Sequence, residues 1–208
     1  MKINFQACAS ALLKVFVFGL AVLIAGVALM GLFDFESQSP VFQSLLSTIS
    51  WAGYTHIIAG SFALILGGVQ LSSNLRRRNL EMHKLTGKLY VICVLASSLG
   101  AMVGLPYSPS GWGVKSGLWF LAILWPLVTI AGYPRGGKFN FQWHGQLMIY
   151  SYSLTCVAIS LRVLIGLQTA SGVGIAIAYP VAAWGGIVVN LIVAFVALQV
   201  AGNYKRSQ

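Results

Sequence analysis

The chain has 208 residues, of which 58% are hydrophobic and only 8% are charged, and its net charge is +10. A soluble domain carries about a quarter charged residues, so this composition excludes an ordinary soluble globular protein. The apolar residues form runs of about 20, the length at which a helix crosses a bilayer, and the positive charges flank these runs. The charge therefore indicates membrane topology, and no nucleic-acid partner is expected.

Six apolar runs follow one another and predict an all-α, polytopic membrane helix bundle with six transmembrane helices. The first run is too long for the core of a signal peptide and lacks a convincing cleavage site. A polar loop with a short amphipathic turn at 42–49 separates it from the second run, and the fourth contains Pro126, which membrane helices tolerate. We predict one integral membrane domain, 1–208, with spans at about 12–33, 51–71, 82–105, 116–133, 141–167 and 179–201.

Lysine and arginine are distributed unevenly between the two sides of this topology. Only Lys115 falls on one side, and Arg162 lies within a span. The other side holds Lys2, Lys14, Arg76, Arg77, Arg78, Lys84, Lys88, Arg135, Lys138, Lys205 and Arg206. Because such residues accumulate in cytoplasmic loops, we predict that both termini are cytoplasmic. We expect the basic loop to meet anionic lipids, with Glu81 as its local counter-charge.

Polar and small residues form stripes along three predicted helices. Since a helix turns about 100° per residue, residues eighteen apart lie on one line. His144 and Arg162 are eighteen apart in the fifth span, with Ser151 and Thr155 near that line and Met148 slightly farther away. The second span aligns His56, Gly60, Ala63, Gly67 and Gln70, and the third aligns His83, Gly87, Tyr90, Ser97 and Ala101.

These stripes should face the interior of the bundle, because polar groups are costly toward lipid and small residues let helices approach. Two layers then follow. The inner layer holds His83, His144, Gln70 and the arginines of the loop, and the outer layer holds His56 and Arg162. Each residue also has a simpler interpretation: a histidine at a helix end can snorkel to the interface, and Arg162 can reach headgroups.

Two histidines at similar depth on different helices suit axial ligation of a b-type haem. His83 and His144 are the predicted ligands, arginine and lysine would neutralise the propionates, and Gln70 and Tyr90 lie on the facing stripes. His56 and Arg162 would hold a quinone headgroup, the propionates of a second haem, or another anion. A proton pump or cation-coupled transporter usually requires an acidic residue within a span, and this sequence has none there. No phosphate-loop or hydrolase motif is present either.

The run HIIAGSFALILGGVQLSSNLRRRNLEMHKLTGKLY, followed by HGQLMIYSYSLTCVAISLRVL and a late Trp184 and Asn190, resembles domain of unknown function 2306, a family of bacterial multi-pass proteins. The resemblance covers about Thr55–Leu198. The matching positions are His56, Gln70, His83, Gly87, Lys88, Tyr90, His144, Met148, Ser151, Tyr152 and Arg162. Gly145 and Tyr150 stand where the family often has basic residues, which weakens tight anion binding at the cytoplasmic rim.

The resemblance implies a bacterial inner-membrane location and a helical pattern similar to that of di-haem b-type cytochromes. Three functional hypotheses remain open. The first is a b-type haem-binding or quinone-interacting electron-transfer protein. The second is a non-redox module, either a small-molecule or lipid-binding permease or an accessory subunit that holds partner proteins in a complex. The third is a transition-metal site at the outer histidine. The sequence leaves open whether the protein is an enzyme.

Overall fold

The computed structural model describes residues 5–34, 36, 40–133 and 140–206, and these residues form helices and connecting turns. The helices are α1 (Phe5–Met30), α2 (Pro40–Thr48), α3 (Ser50–Gln70), α4 (Ser73–Arg78), α5 (Leu80–Gly104), α6 (Trp112–Gly132), α7 (Phe141–Thr155), α8 (Val157–Ala170) and α9 (Ile175–Arg206), with a 3₁₀ turn at Leu105–Tyr107. The all-helical prediction is confirmed.

Five segments of the described chain are long and apolar enough to cross a membrane: Ser50–Gln70, Leu80–Tyr107, Trp112–Gly132, Phe141–Ala170 and Ile175–Val200. A shorter apolar stretch, Val15–Met30, lies within α1. The helices α3 and α6 have 21 residues each, which corresponds to about 31 Å and matches the hydrocarbon thickness of a bilayer. Each of these two helices is therefore long enough to cross the membrane core.

Four helices form the centre of the bundle. Helix α3 packs along α5, α5 packs on α6, α6 packs on α7, and α7 returns to α3, so that the ring closes. Helix α9 lies outside this ring against α6, α7 and α8, and α1 packs against α3 and α8. We call the end with residues 71–79 the basic end, and the end with residues 105–111 and 171–174 the far end.

The structure differs from the predicted elements most clearly in the basic loop and in the fifth span. The loop predicted between the second and third spans contains the short helix α4, and α5 already begins at Leu80. The predicted fifth span is divided at Cys156 into α7 and α8. Thr155 donates its hydroxyl to the Ser151 carbonyl one turn earlier at 3.0 Å, a bond that bends helices. The basic residues Lys2, Arg135 and Lys138 lie outside the described residues.

Candidate functional site

The same capping arrangement places a histidine at the start of α5 and of α7. Asn79 accepts a hydrogen bond from the Met82 amide at 2.9 Å, and His83 follows four residues after it. Asn140 accepts from the Gln142 and Trp143 amides at 3.0 Å each, and His144 again follows four residues later. An asparagine cap fixes the first turn of each helix and therefore the depth of its histidine.

His83 and His144 lie at one depth, at the basic end of the ring. His83 is beside Gln70, the last residue of α3, whose Nε2 donates to the His83 carbonyl at 3.0 Å. His144 is beside Gly132, the last residue of α6, with 2.7 Å between His144 Nδ1 and the Gly132 carbonyl. The two histidines therefore lie at the same end of the ring, on its diagonal helices α5 and α7.

The two imidazoles differ in their hydrogen bonds. A carbonyl only accepts, so His144 Nδ1 carries the proton that is donated to Gly132. His83 Nδ1 is buried and has no hydrogen-bond partner among the described residues. An unpartnered buried nitrogen is costly, so His83 is a candidate for binding a ligand.

Two other predicted site residues are held by the protein itself. Gln70 donates to the His83 carbonyl and the Thr86 hydroxyl, and its side chain covers Gly87. It therefore connects the end of α3 to the start of α5. Tyr90 is 3% exposed, and its hydroxyl contacts Ser151 at 2.7 Å and Thr155 at 2.9 Å. Both side chains stabilise the helix packing beside the histidines.

Five side chains of α5, α6 and α7 form a hydrogen-bonded middle layer, about 10 Å from His83 along α5. The indole N–H of Trp125 donates to Thr155 Oγ1 at 3.0 Å. Thr129 Oγ1 lies 2.6 Å from Ser151 Oγ and 2.8 Å from the Trp125 carbonyl. The remaining contacts are those of Tyr90 described above and the bond from Thr155 to the Ser151 carbonyl. The layer is buried and lies between the two ends of the bundle.

His56 lies beyond the middle layer, toward the far end. Its Nδ1 is 3.0 Å from the Ser97 carbonyl and 3.1 Å from Ser97 Oγ, whose own hydroxyl donates to the His56 carbonyl. Nδ1 therefore carries the proton, and Nε2 carries the lone pair. Nε2 makes no hydrogen bond to any described residue.

Arg162 shares this region. One guanidinium nitrogen donates to the Ala158 carbonyl at 2.7 Å, which directs the side chain back along α8 toward the middle of the membrane. Among the described residues the ion pair joins Glu81 to Lys84 at 2.8 Å, so Arg162 has no carboxylate partner there. Glu81 thus pairs with Lys84 of its own helix. The sequence had instead predicted Glu81 as the counter-charge of the arginines in the loop.

The predicted stripes of α3 and α5 do face the interior, where Ala63, Gly67, Tyr90 and Ser97 are buried. The stripe predicted from His144 to Arg162 does not continue along one face. Ser151 and Thr155 are buried but Arg162 is exposed, and one turn residue, Cys156, separates α7 from α8 between them. Trp125 and Thr129 were not predicted as site residues. The repeated spacing Asn-x-x-x-His, in contrast, is visible in the sequence at 79–83 and 140–144.

No group of three or more histidine, cysteine, aspartate or glutamate side chains that could hold a metal ion occurs within the described ranges. His83 and His144 form a pair at the basic end, whereas His56 is separated from them by the middle layer. The structure therefore holds two distinct groups of candidate site residues, one at each end.

The fold and its apolar helices define an integral membrane protein built as a helical bundle. The chain belongs to the DUF2306 family, described as a predicted membrane protein, whose family model matches residues 53–198. The resemblance found in the sequence is thereby confirmed. Neither the curated proteins nor the solved structures that were searched gave a match.

Proposed function

We propose that this protein is a membrane electron carrier that binds a b-type haem between His83 and His144. The observation that carries the proposal is the buried Nδ1 of His83, which has no hydrogen-bond partner in the described part of the chain and lies at the same end of the ring as His144. When bound, a haem supplies one-electron redox chemistry.

The residues of the chain would hold the group in specific ways. His83 and His144 would each offer a ring nitrogen, and the bond from His144 to the Gly132 carbonyl orients its ring as second-shell bonds do for metal-binding histidines. Arg76, whose charge reaches His83, would neutralise a propionate. The middle layer would exclude water from the inward side.

The topology belongs to the same proposal. With α1 as a sixth span, both termini and the basic end face the cytoplasm, and the protein resides in a bacterial inner membrane. Exposed arginines of α4, namely Arg76, Arg77 and Arg78, would then lie against anionic lipid headgroups.

An absorption spectrum tests the proposal. Protein purified from haem-replete cells should show a Soret band, and His83→Ala and His144→Ala should each remove most of it. His56→Ala is the matched control, because it removes a histidine beyond the middle layer and should leave the band. A wild-type protein without the band, or His83→Ala with an unchanged band, would contradict the proposal.

A second candidate is a non-redox scaffold that holds partner subunits in a membrane complex. It is favoured by the middle layer, which fills the interior with hydrogen bonds among α5, α6 and α7. The same layer argues against a permeation path along the axis of the ring. A colourless, metal-free preparation that co-purifies with a stoichiometric partner would favour the scaffold over the electron carrier.

A further inference from the structure

Arg162 places a positive charge on the outer surface of a membrane-spanning segment. It lies in the apolar segment Phe141–Ala170, eight residues before the end of that segment, which corresponds to about 12 Å. The side chain of Arg162 is exposed, and beside it Val163 is 48% exposed and Leu167 is 62% exposed. A cation in this position is costly, because hydrocarbon supplies no hydrogen-bond acceptor.

The side chain of Arg162 does not extend toward the far end, where α8 ends. One guanidinium nitrogen donates to the Ala158 carbonyl at 2.7 Å, one turn farther into the membrane. A snorkelling arginine would extend in the opposite direction, toward the headgroups beyond Ala170. The guanidinium therefore stays in the hydrocarbon region, and most of its N–H donors have no acceptor among the described residues.

We propose that this face of α8 is a docking surface for a transmembrane helix of another protein that carries an aspartate or glutamate within the membrane. A carboxylate accepts two N–H donors of one guanidinium and neutralises its charge. In hydrocarbon a helix can present such a group, because its backbone hydrogen bonds are internal. Gly166, one turn after Arg162, is exposed, and a Cβ there would meet nothing within 4 Å. A partner helix can therefore approach α8 closely beside the guanidinium.

A second copy of this chain does not supply the carboxylate. The chain has three acidic residues, Asp34, Glu36 and Glu81. Asp34 and Glu36 lie between α1 and α2, and Glu81 is in the first turn of α5 at the basic end, where it pairs with Lys84. None of the three stands in the interior of a span, so a second copy could not present one beside Arg162. The partner is therefore a different protein.

Depth favours a protein helix over a lipid as the partner. Phosphates of phospholipids remain in the headgroup region, and hydration holds the carboxylate of a fatty acid there as well. The bond from Arg162 to the Ala158 carbonyl directs the guanidinium away from that region. A helix, in contrast, carries an acidic side chain into the hydrocarbon, where such residues pair with opposite charges.

Fluorescence energy transfer in liposomes tests the inference with a defined probe. The probe is a synthetic leucine–alanine transmembrane helix with one central aspartate, and a second helix has asparagine at that position. The purified full-length protein should bind the aspartate helix at least about tenfold more tightly than the asparagine helix. Arg162→Gln should abolish this preference. Arg77→Gln is the matched control, because it removes one positive charge from exposed α4 and should leave the preference unchanged.

A second variant tests the surface beside the arginine. Gly166→Leu fills the open space there and should weaken binding of the aspartate helix at least about tenfold. Gly19→Leu, in α1, is its control, since a Cβ at Gly19 also meets nothing within 4 Å. The measurement does not depend on haem, so failure of the haem proposal would leave it intact. Equal binding of the two helices by the wild type, displacement of the aspartate helix by oleate at similar concentration, or association between copies of this chain that depends on Arg162 would overturn the inference.

Discussion

Thr155 is the residue on which the middle layer depends most. The layer has six donor–acceptor contacts, but its four hydroxyls and one indole supply only five hydrogens. At any moment one of the six contacts therefore lacks a hydrogen. The hydroxyls can exchange donor and acceptor roles without movement of the helices. Thr155 takes part in three of the six contacts, including the one that satisfies the N–H of Trp125.

This count predicts an unequal response to two small substitutions. Tyr90→Phe removes two contacts and one hydrogen, leaving four hydrogens for four contacts, so one bond is lost at about 1 kcal/mol. Thr155→Val removes three contacts, leaves the Trp125 N–H without an acceptor and should cost about twice as much. Denaturation in mixed micelles measures the free energy of unfolding of both variants.

Tyr107→Phe is the control, because Tyr107 is 52% exposed at the far end and should change stability little. A Tyr90→Phe variant that is less stable than Thr155→Val would show that the contacts are not shared in this way.

Part of this layer could be predicted from the sequence. The helical periodicity places Tyr90, Ser151 and Thr155 on inward-facing stripes, and all three are buried. Trp125 and Thr129 could not be identified, because they lie in an apolar run with no polar stripe. Their role depends on the register of α6 against α7, which no single-helix pattern contains.

At the scale of the helices, Gly67 sets the distance between α3 and its neighbours. A Cβ at this position would lie 2.2 Å from a ring carbon of Tyr152 and 2.9 Å from one of Tyr90. The Tyr152 hydroxyl also donates to the Leu64 carbonyl at 3.3 Å, which connects α7 to α3. The two helices therefore approach closely because the residue between them has no side chain.

Gly67→Ala should destabilise the protein by about 1–3 kcal/mol, since two buried rings must move. Gly166→Ala, in α8, is the matched control because a Cβ there meets nothing within 4 Å. Unfolding in mixed micelles compares the two variants. If Gly67→Ala is as stable as Gly166→Ala, this result would contradict a close packing of α3 against Tyr152.

The break at Cys156 shows what the sequence could not provide at this scale. Periodicity assumes a straight helix, and no proline or glycine stands between Ser151 and Val157 to indicate otherwise. The bend accompanies a local side-chain bond from Thr155 to the Ser151 carbonyl. Beyond this break Arg162 is exposed, whereas Ser151 and Thr155 before it are buried.

For the whole molecule, the distribution of lysine and arginine predicts which end faces the cytoplasm. In a cysteine-free protein, Ser110→Cys at the far end should react with a membrane-impermeant maleimide in intact cells. Ser73→Cys, at the start of α4, should react only after the membrane is opened. Labelling of Ser73→Cys in intact cells would show that the orientation is the opposite of the proposed one.

The central claim is that the histidines of α5 and α7 meet across the interior of the ring to bind one haem. Electron paramagnetic resonance of the oxidised, purified protein tests it most directly, because two imidazole ligands give a low-spin ferric signal. We expect that signal in the wild type and in His56→Ala, and its conversion or loss in His83→Ala and His144→Ala. A high-spin signal in the wild type, or no haem signal at all, would contradict the claim.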